Sequence, residues 1–350
     1  MPQIFDFRSD TVTKPSSEMW EAIKSLKNDD LGDDVEREDP TVNKLEEKCA
    51  KLVGKEAALF VTSGTQGNLT SLLTHTHPGE EILIEEYAHI YKYEVGGAAR
   101  LGGLVMRTYP SQKGIFDPFN LQPLIHYAED IHEIPTTMIC LENTHNYHGG
   151  VILPVDLFQN IRKFADSNNL KVHLDGARIF NAAVAKGIPA SEFTQYVDSV
   201  QFCLSKGLSC PVGSIIAGSE EFITKARKIR KMLGGGWRQA GILAAMGLVA
   251  IEDNWIHRLQ EDHQNAQLLA RGIQDAFPDF HIEMPETNIV MLPVPENINA
   301  YELSQQLQKE GIYQFDMGPR IRFVTHYGIT ADDIENSILV IEKVILNALK

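Results

Sequence analysis

The sequence predicts an open α/β fold: a mostly parallel sheet covered by helices, followed by a smaller C-terminal α+β unit. Short apolar runs alternate with stretches of helical spacing over most of the chain, the pattern of successive strand–helix units. Several of these runs end in polar residues, as strands do where their C-terminal ends open on a crevice. The pattern then changes near residue 250. At roughly 150 residues per domain, 350 residues suggest about two, with the division expected between 1–250 and 251–350.

Taken in order, Val42, Leu45, Cys49 and Leu52 recur at helical spacing, and Gly54 stands where the helix should end. Residues 56–61 read as a short strand, Thr62-Ser-Gly-Thr65 as the turn after it, and a helical stretch follows. Residues 81–84, 137–141, 170–174 and 199–203 read as further buried strands. The longest apolar run, 241–251, is far shorter than the ~18 residues that span a bilayer and reads as a buried helix. A long helix is expected over 251–273, with Arg258, Glu261 and His263 on solvated faces. Residues 288–293 and 320–325 read as strands. Thr330 is placed to cap a last helix whose apolar stripe is Ile334, Ile338, Ile341 and Ile345.

Composition removes several function classes. Hydrophobic residues at 43% and charged residues at 23% are ordinary globular values, against disorder or a fibre. Lys+Arg 32 against Asp+Glu 47 leaves a net charge of −15, which argues against nucleic acid but permits one local cationic pocket. Four irregularly spaced cysteines make neither a disulfide framework nor a zinc motif, so reduced thiols, a cytoplasmic location and no metal are expected. The N-terminus lacks the cationic start and apolar core of a secretory signal, and no membrane segment is expected. The glycine clusters at 96–103 and 234–236 do not spell a dinucleotide-binding fingerprint.

Three features carry chemistry. Lys206 follows an apolar strand, where desolvation can turn a lysine into a Schiff-base nucleophile, although most such lysines are surface residues in turns. Asp175 follows another strand, where capping the next helix is its ordinary role. Ser63-Gly-Thr65 offers backbone N–H groups at a helix start, which suit a phosphate. Together, a phosphate turn, a strand-end Asp and a strand-end Lys are the set that pyridoxal phosphate requires.

The chain resembles the low-specificity L-threonine aldolases of the β-eliminating lyase group. The motifs are Phe7-Arg-Ser-Asp-Thr-Val-Thr13, Gly32-Asp-Asp-Val35, Ser63-Gly-Thr-Gln66, Ala88-His89, Leu141-Glu-Asn-Thr-His-Asn146, Asp175-Gly-Ala-Arg178, Leu204-Ser-Lys-Gly207 and Gly234-Gly-Gly-Trp-Arg-Gln239. The resemblance spans essentially the whole chain and implies the aspartate aminotransferase fold, PLP fold type I. It also implies pyridoxal 5'-phosphate as cofactor, with Lys206 as Schiff-base lysine and Asp175 as partner of the pyridine nitrogen. Gly64 and Thr65 would hold the phosphate, and His89 would stack on the ring. His132, in Asp130-Ile-His132, would face the substrate's β-hydroxyl. Arg178 and Arg322, with Ser9, would clamp the amino-acid carboxylate, and Arg238 would reach a neighbouring subunit's phosphate. The implied reaction is retro-aldol cleavage of threonine, allo-threonine and related β-hydroxy-α-amino acids to glycine and an aldehyde, in a homotetramer whose subunits share sites. Other β-elimination or serine-hydroxymethyl chemistry is the nearest alternative.

Two departures stand out. Glu36 and Arg37 replace the Tyr-Gly that commonly follows Gly-Asp-Asp-Val in the family, so Glu36 either lines the side-chain pocket or pairs with Arg37 at its rim. His148-Gly-Gly150 after Asn146 is a further variation, read as a loop.

Overall fold

The computed structural model describes residues 3–127, 129 and 131–349. Its strands are β1 Phe5–Asp6, β2 Ala57–Val61, β3 Glu81–Glu85, β4 Val105–Tyr109, β5 Thr136–Glu142 and β6 Lys171–Asp175. They continue with β7 Ser199–Cys203, β8 Ser214–Gly218, β9 Ile289–Pro293, β10 Ile312–Tyr313, β11 Phe315–Asp316 and β12 Arg320–Val324. Seven form one sheet in the order β2-β8-β7-β6-β5-β3-β4. Within it β7, β6, β5, β3 and β4 pair in parallel, while β8 runs antiparallel to both β2 and β7. This sheet, covered by helices, is the α/β architecture the alternation predicts.

β3 and β5 are apolar through their middles because both faces are covered. Leu83 and Ile139 join the main core, whereas their neighbours Ile82, Ile84, Met138 and Cys140 join a separate cluster on the opposite face. Parallel pairing has a functional consequence, since it aligns the strands' C-terminal ends. Glu142 pairs with Asp175, and Asp175 with Gln201, in one row.

Local signals fix the helices around that row. Asp39 caps Pro40–Leu52 by accepting from the backbone of Thr41 and Val42, and Gly54 beyond it has φ +61°. Ser63 caps Gly64–His75 by accepting from Gln66 N. Thr330 and Asp333 form a reciprocal capping box on Ala331–Ala348. The buried Arg230 links Glu220–Met232 to β2 by donating to Phe60 O (2.7 Å) and to Asp34 (2.6 Å).

The small unit builds its own core on the antiparallel sheet β11-β12-β9. Phe5 and Phe7 belong to that core, with Phe7 edge-on to Phe323, and β1 pairs with β10. The N-terminal arm is therefore anchored in the C-terminal unit before it enters the cleft at Ser9. The main core reaches Leu259 and the second takes up Ala266, so the change of core falls inside a single helix.

The helix expected over 251–273 is broken into Asp253–His257 and Leu259–Ala276. Glu261 is exposed, but Arg258 and His263 are not on solvated faces. Arg258 donates to Asp262 and to Gly207 O and lies over the rings of Trp255 and Tyr327. His263 is buried beside Asn181. Both polar heads find partners inside, which the spacing of apolar residues does not reveal.

The departure at 36–37 lies in a turn where Glu36 is exposed and Arg37 is left-handed, at φ +61°. A residue with a Cβ costs ~1–2 kcal/mol in that region, which glycine avoids at ~0.5–1 kcal/mol of extra chain entropy. Arg37 contributes its carbonyl oxygen to Asn43, a bond any residue keeps. Arg37→Gly is expected to leave stability equal or raise it by up to ~1 kcal/mol, whereas β-branched Arg37→Val should lose ~1–2 kcal/mol. Urea midpoints at constant m-value read both.

Candidate active site

Lys206 lies in the loop that leaves β7, and that loop is pinned through its backbone. Thr13 Oγ1 donates to Lys206 O (3.0 Å), Arg258 donates to Gly207 O (2.7 Å), and Leu204 N donates to Gly213 O. The amine is thus carried on fixed backbone at the sheet's C-terminal edge. It opens on a cleft of about 190 Å³ that Ser9, His89, Asn146, Arg178 and Arg322 also line, with Tyr93 and Phe315 on its walls.

Asp175 ends β6 and is buried. Its two oxygens accept from Asn68 Nδ2 (2.9 Å) and Ala177 N (3.1 Å). Gly64 and Thr65 open the helix Gly64–His75. A Cβ at position 64 would stand 3.0 Å from Cys203 Sγ, so this helix N-terminus rests against the strand that carries Lys206. Its leading N–H groups and dipole form an anion cradle there.

His89 begins a short helix after β3. Its backbone N–H donates to Glu142 (2.6 Å), and its Nδ1 lies 3.0 Å from Glu94 Oε1. Burial pulls the imidazole pKa down, but the bonded Glu94, aided by Asp175 and Glu142, outweighs burial and raises it above the usual histidine range. One atom of each of His89, Glu94 and Asp175 lies within 4.8 Å of the others.

The carboxylate clamp differs from expectation. Arg178 is not a free fork: its Nε and NH2 hold both oxygens of the fully buried Asp10, at 2.7 and 2.8 Å. Burial alone would raise the Asp10 pKa, but Arg178 holds it well below the ordinary range. Only the remaining edge of Arg178, NH1, points to Asn146 Oδ1 (3.2 Å), and Arg322 NH1 shares that oxygen at 2.9 Å. Burial, then the Arg178 charge, pull Arg322 down to about 10, and its buried Nε has no partner among the described residues. Two guanidinium edges converging on one neutral oxygen, beside Ser9, favour an incoming carboxylate. Arg320, two residues from Arg322 on β12, instead lies over the Tyr147 ring.

His132 does not join this cluster within the chain. It is exposed in the turn before β5, where neighbouring Glu133 faces His126, itself beside Glu81 at the start of β3. The seven residues of β5, about 20 Å at 3.3 Å each, separate that end of the sheet from Glu142. Asp130 of the same motif lies outside the described residues. Arg238 is exposed and ion-pairs with Asp33 (2.9 Å), and neither it nor Glu36 lines the cleft.

Sequence reasoning missed Asp10, Asn68, Glu94 and Asn146. Asp10, Asn68 and Asn146 sit in or beside quoted motifs, yet act through partners 32 to 176 residues away, whereas Glu94 meets His89 only five residues back in a stretch without a marked pattern. The set fits pyridoxal phosphate by its donor chemistry: an amine, a buried carboxylate for a ring nitrogen, an imidazole, and an anion cradle against the same strand. The buried Gln201 Oε1, beside Gly64, has no partner among the described residues.

The Beta-eliminating lyase family model matches residues 6–297. The probable low-specificity L-threonine aldolase 2 of Arabidopsis thaliana is 42% identical over 346 residues, 97% of this chain and 96% of that protein. The low specificity L-threonine aldolase of Escherichia coli (strain K12) is 42% identical over 331 residues, 95% of this chain and 96% of that protein. In fold, the solved Leishmania major threonine aldolase superposes with a TM-score of 0.83 at 17% identity, covering 97% of this chain and 99% of that one. From its N-terminal arm to its last helix, the chain belongs to the beta-eliminating lyase family.

Proposed function

We propose that this chain cleaves threonine, allo-threonine and related β-hydroxy-α-amino acids to glycine and an aldehyde, using pyridoxal 5'-phosphate. The observation that carries the reading is the cleft itself, where Lys206 and His89, with the buried Asp175 close to His89, share one opening with a pair of guanidinium groups that keep one unclaimed share of positive charge. Names of the 42% identical relatives supply the substrate class.

Lys206 would carry the cofactor, Asp175 would accept from its ring nitrogen, and Gly64 and Thr65 would hold its phosphate. Bound there, pyridoxal phosphate supplies an electron-withdrawing ring that takes up the pair left on the α-carbon when the Cα–Cβ bond breaks. Arg322, the free edge of Arg178 and Ser9 hold the substrate carboxylate and so fix which α-carbon bond is presented for cleavage. His89 takes the proton of the β-hydroxyl, and Glu94 orients its ring and stabilises its charged form. The reading of His132 as a second group at that hydroxyl is dropped within one chain. The exposed place of His132 at the far end, and the exposure of Arg238 beside Asp33, support a tetramer in which copies complete one another's sites. Unpaired cysteines support a cytoplasmic location.

Three measurements test this. Threonine with enzyme and pyridoxal phosphate should yield trapped acetaldehyde and glycine, and Lys206→Ala should yield neither. Ammonia and a keto acid would show β-elimination instead. The pH profile of kcat/KM has a definite sign. His89 acts as a base only when unprotonated, so activity should climb with pH through a midpoint above the ordinary 6.5. Removing the charge that raises it, in Glu94→Gln, should move that acid limb to lower pH by about one unit. An unmoved limb would take His89 out of the role. On a sizing column the active species should run near four times the 39.1 kDa chain, and a fully active monomer would contradict shared sites.

A further inference from the structure

Behind Asp175, a file of hydrogen bonds leads away from the cleft through buried protein. Asn68 Nδ2 meets Asp175 Oδ2 at 2.9 Å, and His173 Nε2 meets Asn68 Oδ1 at 3.1 Å. His173 Nδ1 lies 2.9 Å from Ser199 Oγ, which in turn lies 2.8 Å from His75 Nε2. Asn68, His173 and Ser199 are buried, while His75 reaches the wall of an open pocket of about 630 Å³ and stacks on Phe222.

Elementary geometry assembles the file. Asn68 and His75 are seven residues apart on one helix, two turns, and share a face. His173 and Asp175 are two apart on β6 and share a face, and His173 pairs in register with Ser199 of β7.

The direction of every bond follows by elimination. Asn68 Nδ2 contacts two carboxylates, Asp175 and Glu94 (2.8 Å), so the amide nitrogen must be the atom on that side. Its oxygen then faces His173, whose Nε2 must donate. Burial lowers the pKa of His173 to about 4, so the ring is neutral and its Nδ1 accepts the Ser199 hydroxyl proton. Ser199 Oγ in turn accepts from His75 Nε2, and His75 is also neutral, lowered to about 3 by burial, then by His173, Lys171 and Lys225, with Asp198 pulling the other way. All four donors point the same way, toward Asp175.

We propose that Asn68, His173, Ser199 and His75 are positioning residues that act on the reaction through Asp175, as a one-way chain of donors. Aligned donors polarise one another, so the inner oxygen of Asp175 faces more positive charge than a lone amide would supply. The carboxylate is held in place, and it draws less strongly on the proton of the ring nitrogen it faces. The effect rests on the reading that pyridoxal phosphate occupies the cleft. A structural role alone would need each polar atom to have a partner, but not a common direction.

The test is a pH titration of the holoenzyme's visible absorption band. Ser199→Ala cuts the file, and His75→Phe removes its outermost donor while keeping the ring stacked on Phe222. Without those donors Asp175 draws harder on the ring nitrogen's proton, the ring withdraws less, and the Lys206 nitrogen keeps its proton to higher pH. The band's midpoint should therefore rise, by about 0.5–1 unit in Ser199→Ala and less in His75→Phe. The double variant should match Ser199→Ala alone, and His75→Gln, which keeps an N–H donor, should titrate like the parent. In the apo protein, 15N NMR should find His173 protonated on Nε2. Midpoints that do not move, or a His173 protonated on Nδ1, overturn the proposal alone. A parent protein that forms no visible band overturns the cofactor reading, and the proposal falls with it.

Discussion

Arg178 and Arg322 lie side by side with water largely excluded, and one carboxylate, Asp10, is committed to them. Two buried like charges are costly unless matched, and the lowered proton affinity of Arg322 registers that cost. The arrangement depends on three separate stretches of chain. Asp10 arrives on the N-terminal arm, Arg178 follows β6, and Arg322 sits on β12 of the small unit. That is why Phe5 and Phe7 pack in the C-terminal core: the arm must be held at one end for Asp10 to meet Arg178 at the other. The charge left over gives an amino-acid carboxylate its reason to bind.

A second coupling runs through Asn68. Its amide nitrogen bridges Glu94, which serves His89, and Asp175, which would serve the ring nitrogen. Two carboxylates brought together would repel, and one would take up a proton. Burial, with Asp175 close by, does raise the Glu94 pKa, and the bonds from His89 and from the amide placed between the two carboxylates work against that rise. Groups assigned to two different tasks, moving a proton at the substrate and holding charge at the cofactor, are thus spaced by one side chain.

What the sequence disclosed follows from the physics of each element. β5 was readable at its centre because Met138 to Leu141, buried on both faces, form an unbroken apolar run. β4 was not, since it lies at the sheet's edge and two apolar residues, Val105 and Met106, are followed by the polar Arg107 and Thr108. The two-residue strands β1, β10 and β11 carry no periodicity at all. At the site, Lys206 and Asp175 were legible because strand ends are where such groups act. Asp10 and Asn146 were not, because their work lies in partners remote along the chain. For Arg178, the motif located the residue but not the carboxylate that occupies two of its three nitrogens.

The segment read as a mere loop after Asn146 has a sharper purpose. Tyr147 stacks on Tyr87 at 4.3 Å, two residues before His89, and lies under Arg320, two residues before Arg322. His148 and His145 both bond Glu85 at the end of β3, at 3.3 and 3.1 Å, and burial of that carboxylate is outweighed by these two rings. One short stretch therefore braces the loop that carries the proposed base against the strand that carries the carboxylate clamp. Its first residue, Asn146, supplies the oxygen both guanidinium groups share. Through these contacts, variation at Tyr147 and His148 would alter how the proposed base and clamp are spaced. Glu36, exposed and outside the cleft's lining, has no comparable hold on either.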